Sequence, residues 1–317
     1  MRRTLLCFVL ALTLALPLTA CGGETGGDDG KLTVIAANFP GYDLTKAVAG
    51  ELAVVSMLLP PGTESHSYEP TPRDILAVQN CDLFVYLGGE SDAWVETILG
   101  SLDKPVKTLR MMDCVPTLEE EPLEGMEEIH DHDHDHGHGQ VVEVDEHVWT
   151  SPVNAGKIAE HICTELTAID EANADAYAAN ADAFLAELTK LDGEIRTYVE
   201  SAAEPVMVFG DRFPLRYFAE EYHITCYAAF PGCSTQTEPS AATIAYLTDL
   251  VREKQLSTVY YIEFSNHLVA DSIAEATGAK TALFHSCHNV SKQEMDDGVT
   301  YLTLMRQNLE TLKATME

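Results

Sequence analysis

The chain has 317 residues, 19 of them Lys or Arg and 51 Asp or Glu, which gives a formal charge of −32 at pH 7. That acidic excess argues against nucleic acid or an anionic membrane surface as partner and fits a cation-binding protein. The first twenty residues hold two of the basic side chains and none of the acidic ones, so without them the charge becomes −34.

Residues 1–20 carry Arg2 and Arg3 and then an apolar run from Leu5 to Leu16. The run is short for a bilayer span and has the form of a secretion signal. It closes on Leu18-Thr19-Ala20-Cys21, which resembles the lipobox of bacterial lipoproteins, cleaved before a Cys that is then acylated. The alternative is an ordinary signal with a chance cysteine. Residues 21–30 are small and polar with nothing to pack, and read as a tether between lipid and folded body. Several acyl chains on Cys21 would hold the protein at a membrane. Six further cysteines follow the tether, enough for three disulfides of undetermined connectivity, although Cys81 and Cys163 lie in apolar stretches that suit buried thiols.

Apolar runs with β character occur at Leu32–Ala37, Val54–Leu59 and Asp82–Leu87, and again at Val206–Phe209, Thr258–Ile262 and Thr281–Phe284. Each precedes a helical pattern, so two parallel α/β sheets built from βαβ units are expected. Directly after Leu59 comes Pro60-Pro61-Gly62-Thr63-Glu64-Ser65-His66-Ser67-Tyr68-Glu69-Pro70-Thr71-Pro72. Ligand sites in open α/β folds gather at the carboxyl ends of strands, which places His66 well.

Residues His130 to His138 read His-Asp-His-Asp-His-Asp-His-Gly-His. The tract puts five imidazoles, His130, His132, His134, His136 and His138, among carboxylates, with no apolar residue to bury. It reads as a solvated strip within loop 126–140 that collects divalent metal, or as an acidic loop that meets metal by accident. Eight residues separate His138 from His147 in Asp145-Glu146-His147-Val148-Trp149-Thr150-Ser151-Pro152, a reach of at most about 30 Å.

From Glu171 to Glu200 no proline occurs. Tyr177, Phe184, Leu188, Leu191, Ile195 and Tyr198 recur at helical spacing. One helix of about 40 Å is expected, in phase across Gly193, with two helices broken there as the alternative. The chain then divides into an N-terminal lobe over 31–170, a linking helix over 171–201 and a C-terminal lobe over 202–317. His161 and His223 fall in helical patterns and read as structural.

Over residues 31–315 these segments together resemble the zinc- and manganese-binding lipoproteins of bacterial ABC metal importers. That family places a first histidine ligand in a Pro-Gly-x-x-x-His-x-x-Glu-Pro-Thr-Pro segment, matched here by Pro61 to Pro72. It places a second in Asp-x-His-x-Trp-x-x-Pro, matched by Asp145 to Pro152, with a His/Asp-rich loop before it in zinc-importing members. The resemblance implies two parallel-sheet lobes joined by one long rigid helix, a metal cleft between them, His66 and His147 as ligands, and a permease as partner.

The third ligand departs from the family's Phe-His-Asp-Ala-Phe-x-Tyr-Phe. The matching stretch, Phe209-Gly210-Asp211-Arg212-Phe213-Pro214-Leu215-Arg216-Tyr217-Phe218, puts glycine where the histidine belongs, and Arg212 would compete for Asp211. The family's fourth, acidic ligand corresponds to His285 in Phe284-His285-Ser286-Cys287-His288. His285 is therefore the expected third ligand, and the fourth is open among Asp211, Cys287, His288 and water. Glu263 is expected to accept from a ligating imidazole, or else to cap a helix. Imidazole and thiolate favour Zn²⁺ over Mn²⁺. An anchored zinc hydrolase is the competing reading, against which stand the missing HExxH helix and Gly-x-Ser-x-Gly turn. Adhesion is neither supported nor excluded by these residues.

Overall fold

Two four-stranded parallel sheets, each with β-branched or aromatic side chains buried on both faces, carry the chain from Leu32 onward. The computed structural model describes residues 30–120, 123–126, 144–232 and 239–316. Cys21, the His130–His138 tract and Cys233 lie outside them. No helix among the described residues is long and apolar enough to cross a membrane.

The N-terminal lobe runs β1 (Leu32–Ala36), α1 (Phe39–Ala49), β2 (Ala53–Met57), α2 (Pro72–Gln79), β3 (Leu83–Tyr86), α3 (Ala93–Gly100) and β4 (Thr108–Arg110), with sheet order β2-β1-β3-β4. α4 (Pro152–Ile169) and α5 (Ala174–Ser201) follow. The C-terminal lobe runs β5 (Val206–Phe213), α6 (Arg216–Tyr222), β6 (Thr225–Pro231), α7 (Ala241–Glu253), β7 (Thr258–Tyr261), α8 (Leu268–Thr277), β8 (Lys280–Leu283), α9 (Lys292–Asp296) and α10 (Tyr301–Thr315), with sheet order β6-β5-β7-β8.

Helix starts follow side-chain chemistry that the sequence displays. Thr71 and Asp74 form a reciprocal capping box with Pro72 in the first turn of α2. Ser151 accepts from the Asn154 N–H ahead of Pro152, which ends the His147 motif in a helix. Ser240 caps α7 in the same way. α5 is a single helix of 28 residues that passes through Gly193 unbroken. It buries Tyr177, Phe184, Leu188, Leu191 and Ile195, and closes the stripe with Val199. Tyr198 is only partly buried and donates its hydroxyl to the Met316 carbonyl.

One contiguous apolar cluster joins the lobes. It takes in Val34 and Val85 of the first sheet, Phe209 and Phe284 of the second, Trp149, and the inner faces of α4, α5 and α10. Smaller clusters lie under α2 and α3 and under α7 and α8. A shared core and an unbroken linking helix oppose any hinge that would have to expose that apolar surface. Among the described residues Cys81, Cys114, Cys163, Cys226 and Cys287 are all free thiols. Cys81 is buried and Cys163 only partly so. His161 is exposed on α4, and His223 is exposed where a left-handed residue ends α6.

Candidate metal centre

The loops after β2, β5, β7 and β8 all leave the carboxyl ends of their strands and converge on one cleft between the lobes. Its polar lining includes Glu64 and Ser65 from the N-terminal lobe, His147, and Arg212, Glu263 and His288 from the C-terminal lobe. His66 sits in the middle of the short 3₁₀ turn Ser65–Ser67. Its side chain is outside the described set, and among the described residues no three metal-binding side chains form a ready cluster.

His147 is 2 % exposed. Asp145 Oδ1 accepts from its backbone N–H at 2.8 Å and faces its Nδ1 at 3.2 Å. Nδ1 therefore carries the proton and Nε2 keeps its lone pair, the arrangement that a metal-ligating imidazole needs. Burial would lower the basicity of His147, but the Asp145 charge and hydrogen bond outweigh it and raise its pKa above the ordinary value. Gly232 packs so close that a Cβ there would lie 3.0 Å from the ring.

Two hydrogen bonds tie the loop of His66 to that of His147. Ser65 Oγ donates to the Ser91 carbonyl at 2.8 Å, and the Ser91 N–H donates to Glu146 Oε2 at 2.9 Å. Other bonds cross between the lobes. Trp149 Nε1 donates to the Ser286 carbonyl at 2.8 Å and Tyr217 Oη to the Asp145 carbonyl at 2.7 Å. Asn289 Nδ2 donates to the carbonyls of Pro60 and Thr63 at 3.0 and 2.9 Å.

The segment after β8 separates residues that the sequence places side by side. Cys287 has a positive φ of 61°, and the chain turns there. His288 reaches the cleft, its ring 5.9 Å from that of His147 and 5.3 Å from that of Trp149. His285 does not line the cleft. It is 3 % exposed, and its Nδ1 accepts from the Cys287 N–H at 2.8 Å. A neutral ring then carries its proton on Nε2, which is buried without a hydrogen-bond partner. His285 Nδ1 also lies 3.6 Å from Glu263 Oε2, too far for a hydrogen bond. The backbone of His285 is clamped in both directions by Asn308 at 2.8 Å. In this geometry His288, not His285, faces the cleft.

The other expected fourth ligands lie off the cleft. Asp211 spends both oxygens on backbone, accepting from Arg212 N–H at 2.8 Å and Ile262 N–H at 3.1 Å. Cys287 is fully buried, and burial pushes its thiol well above its ordinary pKa, so thiolate is disfavoured. Glu263 lines the cleft but serves the turn rather than an imidazole. It accepts from the Ser286 N–H, the Ser286 hydroxyl and the His288 N–H. Burial would raise its pKa, but nearby His285 and the Ser286 bonds hold it below the usual carboxylate range.

Gly210 cannot stand in for a lost ligand. A Cβ on it would lie 2.4 Å from Ala270 Cα on α8, so that position admits no side chain. Between Phe209 and Arg212 the pairing with β6 slips, three steps on β5 against two on its partner, from Ala228 to Phe230. This one-residue bulge aims Arg212 at the cleft. Counting the family pattern back from Tyr217-Phe218 also puts its histidine at Arg212. The extra residue misleads a count forward from Phe209. Sequence reading also passed over Glu64, which pairs with Arg212 at 3.3 Å, and the role of Asp145, whose signal was the Asp-x-His spacing itself.

A family model described as the periplasmic component A of the zinc-uptake complex matches residues 34–315. The chain is 34 % identical over 315 residues to the zinc-binding lipoprotein AdcA of Streptococcus pneumoniae R6, covering 98 % of this chain and 60 % of that one. It is 33 % identical over 314 residues to the high-affinity zinc uptake system protein ZnuA of Bacillus subtilis 168, covering 98 % and 95 %. It thus spans less than two thirds of the streptococcal protein and nearly all of the other. The Zn(II)-bound ZnuA-like domain of S. pneumoniae AdcA superposes with a TM-score of 0.73 at 30 % identity, over 90 % of this chain and 99 % of that one.

Proposed function

We propose that this chain, which belongs to the family of periplasmic component A of the zinc-uptake complex, captures Zn²⁺ outside the cytoplasm and hands it to an ABC-type permease. The observation that carries the reading is the pair His147 and His288, one from each lobe, brought ring to ring in a buried cleft beside the turn that bears His66. We assign these three histidines as the zinc ligands, with the fourth position of the tetrahedron left to a non-protein ligand or to Glu64. Three imidazoles favour zinc over manganese, which prefers oxygen.

The reading is of a binding protein and not of a hydrolase. A hydrolytic zinc site needs a metal-bound water and a carboxylate free to act as its base. Of the two carboxylates lining the cleft, Glu263 already accepts three hydrogen bonds and Glu64 is paired with Arg212. Cys21 is the acylation site that keeps the protein at the membrane, and His130–His138 is an accessory tract that concentrates zinc near the cleft.

Metal analysis of the purified protein with and without residues 126–140 tests the division of labour. The deletion is expected to lower the number of bound zinc ions while one tight site survives. Loss of the tight site with the tract would place high-affinity binding there and refute the cleft assignment.

A further inference from the structure

The residue at the position of the family's missing histidine is a cation. Arg212 reaches the cleft through the bulge in β5, and its side chain is 22 % exposed. Among the described residues its one side-chain partner is Glu64, through a single contact at 3.3 Å. The guanidinium has five N–H donors in a planar fork, so most of that donor capacity is uncommitted.

A metal site normally excludes a fixed positive charge, and this cleft contains one. Arg212 and Glu64 offset each other. Three neutral histidines add no charge, and Glu263 adds one negative charge, already fastened to Ser286 and His288. Asp145 against the His147 ring and the buried Glu146 add two more, so a Zn²⁺ ion placed there leaves no positive excess, and the unmet need in the cleft is a partner for the rest of the Arg212 fork. Three histidines also leave one of zinc's four positions without a protein ligand.

From these two deficits we infer that zinc is held in the cleft together with a small oxyanion, a monocarboxylate or bicarbonate. One oxygen of the anion fills the fourth coordination position. Its remaining oxygen accepts from the Arg212 guanidinium, in the charge-assisted geometry that planar guanidinium and carboxylate groups share. The anion occupies the uncommitted donors and turns Arg212 from a repulsive neighbour of the metal into part of its binding site. Arg212 is then a specificity-determining residue, since a bound metal must carry an anion with it. The inference rests on the three-histidine reading proposed above.

The test uses the full chain with one equivalent of Co²⁺, whose visible bands report coordination, and Zn²⁺ as competitor. Acetate or bicarbonate is added to a perchlorate buffer at constant ionic strength. The anion is expected to shift the cobalt bands and to tighten zinc binding by about tenfold. Arg212→Gln should abolish this anion response and Arg212→Lys should retain part of it. A parent protein indifferent to the anion, or an Arg212→Gln variant that responds as the parent does, would overturn the inference. So would loss of the cobalt bands in Glu64→Gln, since Glu64 would then be the fourth ligand. A cobalt site weakened by His147→Ala but blind to anions removes this inference alone. A cobalt site unaffected by His147→Ala removes the cleft reading with it.

Discussion

The His147 and His288 rings meet edge to face, their centroids 5.9 Å apart and their planes at 83°. Trp149 lies against both, at 5.4 Å from the first and 5.3 Å from the second. One ring comes from the loop before α4 and the other from the turn after β8, and each loop is fixed by a carboxylate. Asp145 holds the backbone and ring of His147, and Glu263 holds the backbone of His288. The geometry of the two rings proposed as ligands is therefore largely set without a metal.

Asp145→Asn removes the charge that raises His147 and offers an amide N–H where Nδ1 now finds an oxygen. The ring is then free to take the tautomer that protonates Nε2. Zinc affinity should fall by about 10–100-fold, the usual effect of losing such a support. The thermal midpoint of the metal-free protein should change far less. Chelator competition and a thermal melt on the same sample check both parts.

Gly210→Ala should destabilise the fold by about 1–3 kcal/mol, the cost of forcing an added methyl into a packed site. The atoms in its way are the Ala270 backbone N and Cα, at 2.5 and 2.4 Å, and neither can move without shifting α8. Denaturant unfolding of the metal-free variant measures the loss. A variant as stable as the parent would mean that β5 and α8 are less tightly packed than described.

The sheets and the linking helix were legible because their signals are local. Parallel strands buried on both faces read as apolar runs, and α5 keeps its stripe in phase across Gly193. The two N-lobe loops were legible for a similar reason, since strand β2 leads into the turn of His66 and a capped helix follows His147. The C-lobe was not. A bulge inserts one residue before Arg212, and a left-handed residue at Cys287 parts His288 from His285. Both devices alter which way a side chain points without altering which residue types are present, so spacing alone does not say which neighbour faces the cleft. Asp211 is a similar case: its carboxylate is committed to the backbone N–H groups of Arg212 and Ile262.

Stability should respond to pH through Asp92. Burial raises its carboxyl to about 7, helped by the charge of Glu146 and opposed by the Leu87 and Gly88 N–H groups. Its Oδ1 is buried with no hydrogen-bond partner. The unfolded chain releases this proton near pH 4 and the folded chain only near 7, so between those values the folded state binds more protons. Stability from this group is therefore present at low pH and is lost as pH rises through that window. Asp92→Asn should flatten that slope and stabilise the protein by about 1–2 kcal/mol at pH 8. Melts across pH 4–8 in the absence of metal check the sign.

The central claim is that the C-terminal lobe contributes His288 to the metal. Zinc titration of His288→Ala beside His285→Ala, with loop 126–140 removed from both and from the parent, tests it most directly. His288→Ala should weaken binding at least tenfold, about 1.4 kcal/mol, and remove most of the thermal stabilisation that zinc confers. His285→Ala should instead lower the stability of the metal-free protein, because it empties a buried position, and leave zinc affinity near that of the parent. Tight binding by His288→Ala together with weak binding by His285→Ala would contradict the account.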